Sequence, residues 1–208
     1  MMAIETWLAF ALAAFVVLII PGPTIVLVIG RAMTYGKRSV MPLVTGVTLG
    51  DFTAMTLSLL GLGAVMAASA MLFTLFKWVG AGYLLYLGFK TWRSDPTAKL
   101  TPVHALAGTD WVLLRSAYVV TALNPKSIAF FVAFLPQFVD HRVATLPQFS
   151  VMMVTFLVLA AMNAGLYGFF AGQMHERLQD VRARRWINRT GGTALIGAGL
   201  LTAAMKRA

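Results

Sequence analysis

No cysteine occurs among the 208 residues, so a disulfide framework, a thiolate nucleophile and a cysteine-based metal site are all excluded. Charge is scarce as well. Charged side chains make up 12% of the chain, about half the roughly 25% of an ordinary soluble domain. Seven acidic residues and three histidines leave little material for carboxylate dyads or metal clusters. Nothing matches G-x-x-x-x-G-K-[ST], so ATP hydrolysis is not expected. No stretch reads as the alternating ten-residue strand of a membrane barrel.

What is present is apolar. Hydrophobic residues make up 59% of the chain, too many for a water-soluble fold of this size to cover. They fall into six blocks, approximately 6–30, 40–65, 71–89, 112–138, 147–172 and 190–205. The first five are long enough to cross a hydrocarbon core of about 30 Å at about 1.5 Å per residue. The sixth is short and glycine-rich. In lipid each block must satisfy its own backbone hydrogen bonds, so all are read as helices. The expected fold is an all-α integral membrane protein, one transmembrane domain spanning 1–208. Glu5 stands where a signal peptide would be basic, so the first block is read as a retained span.

The +10 net charge is concentrated in gaps between blocks. The connectors 31–39, 90–111 and 173–189, with Arg115 at a helix edge, hold twelve of the seventeen basic residues. With six crossings these connectors share one side. The positive-inside rule makes that side cytoplasmic and both termini non-cytoplasmic. Contacts of these side chains with anionic membrane lipids are expected, and a nucleic-acid partner is not. Trp7, Trp78, Trp92, Trp111 and Trp186 lie at block ends, as interfacial anchors do. His104, His141 and His175 lie in connectors.

The halves, approximately 1–110 and 111–208, share their punctuation. Pro21-Gly22-Pro23 interrupts the first helix and Asn124-Pro125-Lys126 the fourth. The second and fifth helices each carry a lone deep polar residue, Asp51 and Asn163. Gly80, Leu84 and Gly88 match Gly191, Leu195 and Gly199 in spacing. Three spans separate the halves, so they would insert with opposite orientation as an inverted repeat. Gly46-x-x-x-Gly50 and Gly168-x-x-x-Gly172 are close-packing motifs that fit packing within the chain and pairing as a homodimer equally well.

Proline removes a backbone donor, so both interruptions free carbonyls that lipid would not tolerate unless they were buried in protein or lined a cavity. The candidate substrate site is therefore Pro21, Gly22, Pro23, Asp51, Asn124, Pro125, Lys126 and Asn163. Asp51, the interior carboxylate, costs roughly 2.5–3.5 kcal/mol to insert and should face the protein interior. It is the proton-coupling candidate. Lys126 is its deep counterpart in the other half, and the pair suits a zwitterion. Nothing in the spans supplies a nucleophile–base pair or a metal set, so the chain is not read as an enzyme, and no cofactor or metal is expected.

Pro21-Gly22-Pro23, GVTLGD at 46–51, GAGYLLYLG at 80–88 and NPKSIAFFVAFLPQFV at 124–139 together resemble the LysE/RhtB family of amino-acid exporters, in the family's order and over nearly the whole chain. The resemblance implies a six-helix bacterial inner-membrane exporter of small amino acids or close derivatives, driven by the proton gradient. The proline segments and Asp51 would lie around the substrate path. Competing readings are a related cation transporter and a passive channel or structural membrane subunit.

Overall fold

The computed structural model describes residues 2–68, 70–95, 97, 109–140, 143–173 and 180–204. Among them no strand is present. The helices are α1 (Ile4–Ile19), α2 (Pro23–Tyr35), α3 (Val40–Ala68), α4 (Ala70–Trp92), α5 (Asp110–Ala122), α6 (Pro125–Ala129), α7 (Thr145–Phe169) and α8 (Val181–Ala204).

The proline signals act where the sequence puts them. α1 stops at Ile19, and Pro23 opens α2 at a first-turn position that needs no donor. The two helices are bent by 55°. Asn124 caps α6, its side chain accepting from the Lys126 N–H at 3.1 Å. Pro125 follows as the first residue of that helix, and the α5–α6 break is bent by 40°. Beyond α6 the chain loosens into a π turn over Phe130–Phe134 and a 3-10 turn over Leu135–Phe138. Pro136 lies in the second of these and cannot donate.

Among the described residues, Lys37–Gly61 and Thr145–Phe169 are each long and apolar enough to cross a membrane. The bent pairs α1–α2 and α5 through Phe138 raise the number to four if each is one span. Rows of large apolar side chains face outward, as on α1 (Leu8, Leu12, Phe15, Ile19) and α7 (Val151, Val154, Val158, Met162). In water such a surface would be an aggregation hazard; lipid is its natural solvent.

Three contacts hold the helices together. α3 packs on α5 through Gly46, which abuts the Leu114 carbonyl, and Gly50, where a Cβ would stand 2.7 Å from Thr121 Cβ. α4 packs on α8 at Gly88 and Gly192; a Cβ on Gly88 would lie 2.8 Å from the Ile196 backbone nitrogen. α7 packs on α1, α2 and α3, with Gly168 against Val40 of α3 and Val28 of α2. Gly46, Gly50 and Gly168 thus serve packing within the chain, whereas nothing lies within 4 Å of a Cβ on Gly172. An aromatic core of Phe10, Phe130, Phe131 and Phe156 fills the space between α1, the π turn and α7, with the Phe131 and Phe156 rings 4.8 Å apart.

Three expectations need correction. Arg31 was assigned to a connector, but α2 runs on to Tyr35 and buries Arg31 at 3% exposure. Arg182, Arg184, Arg185 and Arg189 were also assigned to a connector, yet they lie on α8, which begins at Val181 rather than near 190. A helix can carry arginines through its first turns because their long side chains snorkel to water. Trp7 does more than anchor: its indole N–H donates to Thr155 Oγ at 2.9 Å. Trp78, Trp92, Trp111 and Trp186 are exposed. His104, His141 and His175 lie outside the described residues.

Gln148, 1% exposed, ties the segment before α7 to its first turn. It accepts from the Asp140 N–H at 2.9 Å and donates to the Asp140 and Ala144 carbonyls at 2.8 and 3.2 Å. Gln148→Leu keeps the volume and removes every partner. It should cost about 1–3 kcal/mol, read as a lower thermal midpoint of the purified protein in detergent.

Candidate functional site

The last four carbonyls of a helix have no partner within it, and the ion-like charge of its C-terminus is negative. At α1 these are Val17, Leu18, Ile19 and Ile20. Pro21 cannot donate to Val17, and Pro23 cannot donate to Ile19. Side chains from the second half of the chain take over. The Lys126 ammonium donates to the Val17 carbonyl at 3.0 Å and the Ile20 carbonyl at 2.8 Å. The Asn163 amide donates to Leu18 at 3.1 Å, and the Tyr167 hydroxyl to Ile19 at 3.0 Å. All four carbonyls are satisfied by three side chains from α6 and α7.

A second polar group joins the breaks to each other. Thr24 Oγ, in the first turn of α2, accepts from the Asn124 amide at 3.2 Å and from the Thr121 hydroxyl at 3.3 Å. Thr24, Thr121 and Asn124 are all buried. The N-cap of α6 therefore does two jobs, holding its own helix start and the start of α2.

Asp51 sits on α3 at 3% exposure, facing this group. Ser127 and the Lys126 ammonium are the groups that act on its carboxyl. Its Oδ1 is buried and accepts no hydrogen bond among the described residues. Both hydrogen bonds of the Lys126 ammonium instead go to the end of α1.

Asp51, Lys126, Asn124, Asn163, Gly22, Thr24 and Ser127 line one cavity, closed on its apolar side by Phe156, Val47 and Ile25. About 30 Å³ of it admits the centre of a water molecule, room for one or two waters. The expected site residues Gly22, Asp51, Asn124, Lys126 and Asn163 are brought together here. Pro21, Pro23 and Pro125 act through the backbone around it, and Pro23 and Pro125 are themselves exposed. Thr24, Ser127 and Tyr167 escaped the sequence reading. Tyr167 is four residues beyond Asn163 and so shares its helix face, a signal that was available. Among the described residues no three His, Asp or Glu side chains gather as a metal site would require.

Residues 15–206 match the LysE type translocator family. The chain belongs to that family. A relative from Vibrio cholerae, named an uncharacterized membrane protein, is 35% identical over 99% of this chain and all of its own length. The homoserine/homoserine lactone efflux protein of Salmonella typhimurium is 28% identical over the whole of both chains. The leucine efflux protein of an Enterobacter strain is 28% identical over 81% of this chain and 80% of its own. No solved structure matches. This LysE-family chain is thus a multi-helix membrane translocator with amino-acid efflux proteins among its relatives.

Proposed function

We propose that this protein exports amino acids or close derivatives across the bacterial inner membrane, coupled to proton entry, by alternating access about the cavity between the two helix breaks. The observation that carries the reading is that cavity: both breaks, one buried carboxylate and one amine meet at it. The relatives named for homoserine and leucine efflux support a small amino-acid substrate.

Six spans fit this reading, with α1–α2 and α5–α6 as the broken first and fourth, α3 and α7 as the second and fifth, and α4 and α8 as the third and sixth. The helix pairings support an inverted repeat. Second packs on fourth, fifth on first, and third on sixth, a set that maps onto itself when the halves are exchanged. The excess of arginine and lysine in the odd-numbered connectors and the helix ends that flank them favours non-cytoplasmic termini. Asp51 is the proton carrier in this scheme. Substrate would enter Pro21-Gly22-Pro23, Asn124-Pro125-Lys126 and Asn163 from one side at a time.

The test is efflux from membrane vesicles loaded with labelled leucine, homoserine and threonine. At least one should leave about ten-fold faster with an inward proton gradient than without. Efflux indifferent to the gradient would make the protein a passive channel, and no efflux of any amino acid would remove the reading.

A further inference from the structure

The Lys126 ammonium has the surroundings of a bound ligand. It reaches across from the other half of the chain and meets two carbonyls, at 2.8 and 3.0 Å, that proline has deprived of their own donors or left at a helix end. Two of its three N–H groups are used in this way. Gly22 lies beside it, where a Cβ would stand in ordinary contact, 3.4 Å from Nζ and 3.6 Å from Cε. The same cavity holds Asp51 Oδ1, buried and accepting no hydrogen bond among the described residues. The site thus has two acceptor positions for an ammonium, one filled and one vacant.

We infer that the broken end of α1 is a binding site for a primary ammonium group, and that Lys126 is its resident occupant, displaced onto Asp51 when a ligand's amino group arrives. This rests on the export reading for its purpose, naming the group the substrate presents, but not for its test. Carbonyls at a helix break buried in protein cannot be left bare. Lys126 therefore leaves only in exchange for another donor of the same shape. A primary ammonium supplies three N–H groups, whereas a quaternary ammonium of similar charge supplies none. The exchange keeps every group partnered: the ligand's N–H groups take Val17 and Ile20, and the Lys126 ammonium takes Asp51 Oδ1. An N-acetylated ligand lacks the charge and would not compete.

Lys126→Ala creates the vacancy on purpose. The purified variant is unfolded thermally in detergent with ethylammonium or with tetramethylammonium at equal ionic strength. Ethylammonium at about a hundred times its Kd should raise the midpoint of Lys126→Ala by about 5 °C. Tetramethylammonium should not, and wild type should respond less than the variant. Equal responses to the two cations, or none, would overturn the inference. If Lys126→Ala does not fold unaided, its recovery from membranes solubilised in ethylammonium but not in tetramethylammonium supports the site, and recovery in neither overturns it. An ammonium response without amino-acid efflux would remove the export reading and leave the site standing. Efflux without the response would remove this site alone.

Discussion

Asp51→Asn should uncouple the protein rather than unfold it. Asparagine has the same shape and can still bond Ser127, but it cannot take up or give up a proton. Gradient-driven efflux should fall at least about ten-fold, a change of about 1.4 kcal/mol. Exchange of labelled for unlabelled amino acid across the vesicle membrane should continue, because it needs no net proton movement. The two assays on one preparation separate the possibilities. Loss of both would make Asp51 a substrate ligand or a structural group. Retention of gradient-driven efflux would remove it from proton coupling altogether. The fold should survive, because Asp51 Oδ1 already lacks a hydrogen bond and removing the charge relieves a buried group of its hydration debt.

The double replacement Pro21→Ala with Pro23→Ala should raise stability while it lowers transport. It returns N–H groups to the positions that face the Val17 and Ile19 carbonyls. Proline in a helix interior costs about 3 kcal/mol relative to alanine, so the continuous helix now competes with the 55° bend. Lys126 and Tyr167 would then lose two of the carbonyls they hold. The thermal midpoint should rise by a few degrees while efflux falls about ten-fold or more. Unchanged efflux from a folded variant would mean that the break serves packing only.

The parts of this arrangement that were legible in the sequence are those where one residue type has one physical consequence. Proline cannot donate, so Pro21, Pro23 and Pro125 announced both breaks. A lone Asp or Lys within an apolar run has few tolerable surroundings, so Asp51 and Lys126 could be assigned to the interior. Asn163 was legible for the same reason, although its amide turns out to bind the Leu18 carbonyl. Thr24 and Ser127 were not legible. Hydroxyls are common in membrane helices and often bond their own backbone, as Thr48 does to Val44. Nothing local marks the ones that reach another helix. The π turn over Phe130–Phe134 was hidden too, because a run of aromatic residues satisfies any helical hydrogen-bond register. Arg31 and the α8 arginines were misassigned because charge was equated with a connector, although Arg31 is buried within α2.

The seam between α4 and α8 carries a mechanical consequence. At Gly88 and Gly192 the two main chains touch without side chains between them, so neither rod can slide or roll without the other. In the proposed alternating access they would travel as one keel, with the remaining helices bending around it. Even one methyl at Gly192 would stand 2.7 Å from the Gly88 carbonyl oxygen, so nothing larger than hydrogen fits in the keel's seam.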